Sequence, residues 1–381
     1  MTIYLDHAAT TPVDPRVAHV MAESLARGDA NPSATHAAGR AARARLEGAR
    51  AEVAALIGAV PEEIVFTSGA TEADNLALAG VMRAQRAPAR HLVTSRIEHR
   101  AVLDAAKQLE AEGCAVTYVN SAIDGRVSLE ALTASLRPET TLISLQSVNN
   151  ETGVIQPVGE VAELARSRGI LMHTDAAQAL GKISFEISKL GVDLASLSGH
   201  KMGGPQGIGA LWIGAQAARW IRPIVYGGGQ ERGLRPGTLP VHQILGWGEA
   251  CRIAREEFAD HTARLRALTE RLADQLLALP GVERNGRADQ RAPHILNLAF
   301  SGVDGEALHA SLRDLAVSGG SACAAEKAEP SYVLRALGLD DARAEASVRF
   351  SVGSITSEKD IDQAANIVKN ALSRLRGIAP R

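Results

Sequence analysis

Between residues 63 and 213, short apolar and β-branched runs alternate with longer stretches whose apolar positions recur at helical spacing. The runs fall at 63–67, 91–94, 116–119, 141–148, 170–173, 193–197 and 209–213. Such alternation predicts an α/β fold: a mostly parallel seven-stranded sheet covered by helices on both faces, with a ligand site at the carboxyl ends of its strands. Upstream, an Ala/Arg-rich helix is expected over about 34–57, with Asn31-Pro32-Ser33 stopping one helix and capping the next. After residue 213 the alternation stops. A polar, glycine-rich stretch at 226–238 is too elaborate for a simple connector. Two long helices are expected at about 240–258 and 262–279. Pro280-Gly281 then breaks the chain before a smaller α+β region with strands near 294–300, 315–318 and 346–352.

Composition narrows the function classes. With 41 basic and 43 acidic residues, the net charge of −2 gives no electrostatic case for nucleic acid or an anionic membrane. The longest apolar runs are strand-length and the N-terminus has no charged-then-apolar leader, so neither a membrane span nor a signal peptide is expected, and the chain reads as cytoplasmic. Three widely spaced cysteines do not make a disulfide framework.

Candidate chemistry centres on Leu197-Ser198-Gly199-His200-Lys201, where a lone amine sits between an apolar strand and a glycine-rich turn, flanked by a hydroxyl and an imidazole. A partly desolvated Lys has a lowered pKa and can hold an aldehyde cofactor as a Schiff base; an exposed loop Lys is the plainer reading. Pyridoxal phosphate is the obvious aldehyde, and it needs an anion pocket and a carboxylate for its ring nitrogen. Thr67-Ser68-Gly69-Ala70-Thr71-Glu72 follows a strand and opens a helix, so it offers free N–H groups and the Thr71 hydroxyl, although an ordinary helix start fits the same spacing. Asp175 ends a buried strand and needs a cationic partner; with His173 it also fits a metal, a reading ranked lower because no third ligand matches. His99, just past a strand end, is a candidate to stack on a ring or move protons, and Asn150, in a polar turn, a candidate amide donor. Strand alternation sets Arg349 apart from Val348, Phe350 and Val352, away from the core, where it could grip a carboxylate. Cys114 and Cys251 read as small hydrophobes, whereas Cys323, in a glycine-preceded loop, is a candidate nucleophile.

Taken together, Leu5-Asp6-His7-Ala8-Ala9-Thr10-Thr11-Pro12, Ser68-Gly69-Ala70-Thr71-Glu72, Glu98-His99, Asn149-Asn150-Glu151, Ser198-Gly199-His200-Lys201, Arg235-Pro236-Gly237-Thr238 and Ser321-Ala322-Cys323 resemble the cysteine desulfurases of the NifS/IscS type, within the class V aminotransferase group of fold-type-I pyridoxal phosphate enzymes. The resemblance implies a large cofactor-binding domain over 14–256 and a small α+β domain made of 1–13 and 257–381, the latter carrying the Cys323 loop. It implies Lys201 as the Schiff-base Lys, His99 as the stacking and proton-moving His, Asp175 as the ring-nitrogen partner and Gln178 as a donor to the ring hydroxyl. Ala70, Thr71, Ser198 and His200 would hold the phosphate, joined by Thr238 from the other subunit of a homodimer. Asn150, also a cofactor contact, and Arg349 would hold the carboxylate of L-cysteine; Cys323 would take its sulfur as a persulfide and leave L-alanine. No metal is implied. An acceptor protein for the sulfur is implied too, an iron–sulfur scaffold or a tRNA-thiolation relay being candidates. The chain stops at Arg381 without the longer tail that housekeeping members use to dock their scaffold, and Ser354 replaces a frequent Arg, so acceptor, pathway and activity toward selenocysteine stay open. Two alternatives accompany this reading: an aminotransferase or selenocysteine lyase on the same fold, and a catalytically silent sulfur-carrier platform.

Overall fold

A computed structural model describes residues 2–84, 90–319 and 330–378. The first half contains β1 (Ile3–Tyr4), α1 (Pro15–Arg27), α2 (Ala37–Ile57), β2 (Ile64–Thr67), α3 (Ala70–Ala84), β3 (His91–Ser95), α4 (Arg100–Ala111) and β4 (Ala115–Val119). It continues through α5 (Leu129–Ser135), β5 (Thr140–Ser144), α6 (Val158–Ser167), β6 (Leu171–Asp175), α7 (Ile187–Leu190), β7 (Leu194–Ser198) and β8 (Gly209–Ile213). The strands β2 to β8 form one seven-stranded sheet in the order β2-β8-β7-β6-β5-β3-β4. Only β8 runs against its neighbours; the pairs among β7, β6, β5, β3 and β4 are parallel.

Both faces of this sheet are covered, so its central strands are buried at every position rather than alternating with polar residues. The period of two survives in the packing. Val65, Leu92, Leu142, Leu171, Leu194 and Leu211 join the core under α3 and α4. Their neighbours Phe66, Val93, Ile143, Met172, Ala195 and Ala210 join the opposite core, with apolar residues of α2, α6 and Val241–Ile253. Each fully buried large apolar side chain contributes roughly 1.5–3 kcal/mol, which makes register slips costly.

The chain then runs through α8 (Val241–Glu256), α9 (Phe258–Leu277), β9 (Val282–Arg284), β10 (Ile295–Phe300), α10 (Gly305–Ser311), β11 (Leu315–Ala316), α11 (Tyr332–Ala336), α12 (Asp341–Glu345), β12 (Ser347–Ser351) and α13 (Glu358–Ile378). A three-stranded antiparallel sheet, β12-β10-β9, packs on α9 and α13 around a core of its own that includes Leu268, Leu296, Val348, Phe350, Ile361 and Val368. Leu5 belongs to that core, and β1 pairs in parallel with β11.

Four local expectations change. The strand expected over 141–148 ends at Ser144 because Asn149 closes a turn, its Oδ1 accepting from the N–H groups of Glu151 (3.0 Å) and Thr152 (2.8 Å). Helix α3 starts at Ala70, inside the segment expected to lead into it, so Thr71 and Glu72 lie inside its first turn. The cap of α2 is His36, whose Nδ1 accepts from Gly39 N, rather than Ser33. The strand expected over 315–318 shrinks to the two residues of β11.

Candidate active site

A cavity of about 490 Å³ opens at the carboxyl ends of the parallel strands, lined among others by Ala8, Ala70, His99, Asp175, Lys201 and Arg349. Lys201 reaches it from the turn after β7. That turn is tight: Gly199 and Gly204 are bonded N–H to carbonyl at 3.1 Å, and a Cβ on Gly204 would sit 2.8 Å from the Gly199 carbonyl oxygen. The Lys201 Nζ donates to the carbonyls of Ala8 (2.8 Å) and Ala9 (2.7 Å), so the N-terminal segment supplies part of the site. Behind it, the buried Lys182 Nζ donates to the Lys201 carbonyl (2.9 Å), which also accepts from Thr11 Oγ1 (3.1 Å). Burial, and after it the charge of Lys201, brings the Lys182 amine down to about 7.

Asp175 ends β6, buried, with Oδ1 accepting from Ala177 N (2.9 Å). Burial holds its pKa above the usual carboxylate range, against the pull of the charges on His99 and Lys201. A cationic ring nitrogen beside it would favour the ionised form. His99 caps α4: its Nδ1 accepts from Ala101 N (3.2 Å), which leaves the proton of the neutral ring on Nε2. Burial lowers its pKa, and Asp175 opposes that shift. Its neighbour Glu98 is buried, accepts from Ser95 Oγ (2.6 Å) and Gln146 N (3.0 Å), and is pushed up to about 8, chiefly by burial.

The N-terminus of α3 also borders the cavity. Its first intrahelical bond runs from Ala73 N to Gly69 O, so the N–H groups of Ala70 and Thr71 precede the helical ladder. Gly69 has φ +153°, and the turn lies so close to β8 that a Cβ on Gly209 would come within 2.7 Å of its backbone. Glu72 ties the turn down by accepting from Ser68 N (2.7 Å) and from Arg235 Nε (2.9 Å). Ser198 and His200 line the same cavity; the His200 Nδ1 and Thr10 Oγ1 are 3.1 Å apart, and burial with the nearby Lys201 and Lys182 charges takes His200 to about 4.

Gln178 also lines the cavity, its amide nitrogen donating to Ala8 O (2.8 Å) and its oxygen 3.2 Å from His294 Nε2. Asn150 has a buried Oδ1 with no partner among the described residues. Arg349 corrects a sequence expectation. It is 2% exposed rather than set away from the core, because both faces of β12 are covered. Its guanidinium donates to Asp6 Oδ1 (2.7 Å) and to Asn150 O (2.8 Å).

The cavity thus gathers Ala70, Thr71, His99, Asn150, Asp175, Gln178, Ser198, His200, Lys201 and Arg349. Thr238 is exposed and does not line it, and Cys323 lies outside the described residues. The metal alternative at His173 and Asp175 has no geometry behind it: the His173 ring nitrogens face Ser144 Oγ (2.8 Å) and Ser196 Oγ (3.0 Å), and no group of described residues could hold a metal. Sequence reading missed Ala8, Ala9, Lys182 and Asp6. The signal available was the Leu5–Pro12 segment itself, whose turn is closed by Asp6 O accepting from Ala9 N (3.0 Å) and Thr10 N (3.3 Å).

A pyridoxal phosphate group fits these residues. The cavity is lined by an amine, a buried carboxylate, a helix N-terminus with uncommitted N–H groups and an orphaned buried amide oxygen at Asn150.

Known proteins share this architecture. The model of the aminotransferase class-V family matches residues 3–364. The cysteine desulfurase IscS of Klebsiella pneumoniae (strain 342) is 49% identical over 383 residues, covering 100% of this chain and 95% of that protein. A solved NifS-like protein superposes with a TM-score of 0.91 at 36% identity, covering 98% of this chain and 100% of the other. A structure of SspA in complex with cysteine gives a TM-score of 0.84 at 36% identity, covering 92% and 99%.

Proposed function

We infer, from the premise that this chain belongs to the aminotransferase class-V family, that it is a pyridoxal phosphate-dependent cysteine desulfurase. What carries the reading is one cavity that gathers an amine, a buried carboxylate and a helix N-terminus, in a chain 49% identical to a desulfurase over its whole length. The reaction converts L-cysteine and the Cys323 thiol into L-alanine and a Cys323 persulfide. The Cβ–S bond breaks, an S–S bond forms, and the carbon skeleton gains the protons that replace sulfur.

When bound, pyridoxal phosphate supplies the electron sink that weakens the bonds at Cα and makes sulfur a leaving group. The chain's own residues have separate tasks. Lys201, whose amine donates to the Ala8 and Ala9 carbonyls, would hold the cofactor aldehyde. Asp175 would favour a protonated ring nitrogen, and Gln178 and Asn150 would contact the ring. The N–H groups of Ala70 and Thr71, with Ser198 and His200, hold the phosphate, and Thr238 of a second copy completes that pocket. His99, protonated on Nε2, moves protons at the substrate. Arg349 and Asn150 hold the α-carboxylate, and the Cys323 thiolate attacks the substrate sulfur.

The same reading includes a homodimer, a cytoplasmic location and a sulfur-acceptor protein, an iron–sulfur scaffold or thiolation relay. No helix of the described residues is long and apolar enough to cross a membrane. It also divides the chain into a large domain, 14–256, and a small one, 1–13 with 257–381. Support for that division comes from the core that joins Leu5 to residues between Leu265 and Leu372 and to no described residue between them and Leu5.

The test separates cofactor chemistry from sulfur transfer. Cys323→Ser should keep the yellow cofactor and bind L-cysteine, yet form no persulfide and little alanine. Lys201→Ala should bind cofactor weakly and lose turnover. Cys114→Ser and Cys251→Ser, at buried thiols that burial pushes up, should leave turnover largely intact. Alanine released by Cys323→Ser at the parental rate would move the chain to another lyase or a transaminase on this fold.

A further inference from the structure

Arg349 is a buried cation whose ion-pair partner comes from the far end of the chain. Its Nη2 donates to Asp6 Oδ1 at 2.7 Å across 343 residues, and its Nη1 donates to the Asn150 carbonyl at 2.8 Å. The Arg349 Nε is buried without a partner among the described residues. A guanidinium is a rigid planar fork, so one anchor on each Nη fixes both its plane and its rotation in that plane. Asp6 is itself immobilised. It forms a parallel bridge with Ser351, two residues beyond Arg349; Ser351 N donates to Leu5 O (2.7 Å), and Ala8 N donates to Ser351 Oγ (2.8 Å). The Asp6 carbonyl also closes the turn whose Ala8 and Ala9 carbonyls hold the Lys201 amine. One residue therefore ties the guanidinium and the lysine amine to a common frame.

We propose that Asp6 is a positioning residue for the α-carboxylate of the substrate: it fixes the plane of the Arg349 guanidinium and thereby sets where that carboxylate docks relative to Lys201. The proposal rests on Arg349 being the carboxylate anchor. Without the Asp6 carboxylate, Arg349 keeps its charge and the Asn150 carbonyl but loses its second fixed point. Attraction for a carboxylate then persists while its direction is lost. A carboxylate held less firmly raises KM, and because its direction also sets the reacting carbons against Lys201, kcat falls as well, by less than KM rises.

Asp6→Ala, Asp6→Asn, Arg349→Ala and the Asp6→Ala/Arg349→Ala double variant are compared as cofactor-loaded enzymes. Readouts are KM and kcat for L-cysteine, the dissociation constant for L-alanine and that for pyridoxal phosphate. Arg349→Ala should raise KM by about 100-fold and Asp6→Ala by about 10-fold, with kcat falling by less than KM rises and cofactor affinity unchanged. Asp6→Asn, which keeps an acceptor for Nη2, should recover part of the loss, and the double variant should be no worse than Arg349→Ala alone. If Asp6→Ala does not accumulate as folded protein, Asp6→Ser, too short to reach Nη2, replaces it with the same expectations. A parental KM in Asp6→Ala beside a raised one in Arg349→Ala overturns the proposal and leaves the Arg349 reading standing. A parental KM in Arg349→Ala overturns that reading itself. Losses that multiply in the double variant, or no recovery in Asp6→Asn, show that Asp6 acts apart from Arg349 and equally overturn it.

Discussion

Lys182 shows how burial sets the chemistry of a single side chain. Its amine is buried, donates to the Lys201 carbonyl and has no carboxylate among the influences on its titration, so it falls to about 7 from an ordinary value of 10.5. Because the folded pKa lies below the unfolded one, the unfolded chain binds the extra proton between about pH 7 and 10.5. The contribution of this group is fully present above that window and is lost as pH falls through it. Lys182→Met removes the titration. The parental protein should therefore gain on the variant by roughly 1–3 kcal/mol between pH 7 and pH 9.5, read from urea midpoints. A gap that stays constant with pH would mean that the amine is charged in the folded protein.

At the scale of elements, the placement of α3 depends on glycine in the neighbouring strand. A methyl on Gly209 would stand 2.5 Å from the Leu197 carbonyl oxygen and 2.7 Å from the Gly69 backbone, and none of these atoms is a flexible side-chain end. Gly209→Ala should push the Gly69 turn off β8, weaken cofactor binding by about tenfold or more and cost about 1–3 kcal/mol of stability. The contrast is Gly48, exposed in α2, where an added methyl would meet nothing within 4 Å and alanine should stabilise by up to about 1 kcal/mol. Equilibrium cofactor titration and urea unfolding of both variants check the pair. Equal effects would show that the α3 turn tolerates displacement.

For the whole molecule, the irregular stretch between β8 and α8 is anchored inward, through Arg235 on Glu72, yet turns apolar side chains outward. It exposes Trp220, Val225 and Tyr226, the last 84% accessible, and carries Thr238. Two successive residues there, Glu231 (φ 44°) and Arg232 (φ 56°), hold left-handed backbone that side chains disfavour. That conformation is secured by Arg50, whose guanidinium donates to both Glu231 oxygens (2.7 and 2.8 Å), and by Phe66 N (2.7 Å). A strained, rigid, apolar-tipped segment beside the cavity suits an isologous interface that carries Thr238 into the partner's phosphate pocket. Light scattering should give twice the chain mass, and Thr238→Val should weaken cofactor binding without dissociating the dimer. A stable monomer with full cofactor occupancy would defeat the arrangement.

Much of this was legible in the chain because it is written locally. Apolar periodicity marked the strands that became β2 to β8, and it gave the right class because both faces of the sheet are buried. Motifs at strand ends marked Lys201, Asp175, His99 and the α3 turn, because parallel strands deliver their carboxyl ends to one edge. What periodicity could not state is which distant segments meet. The carbonyls that hold Lys201 come from 193 and 192 residues away, and the carboxylate that holds Arg349 from 343. Alternation also set Arg349 away from the core, since a period of two records which residues share a face and not whether something covers the other one. The sequence by itself determined the elements and the chemical types at their ends. The pairing of β1 with β11 and of Asp6 with Ser351, which brings the N-terminus between Lys201 and Arg349, was decided only by tertiary structure, because long-range register depends on how two cores close on each other.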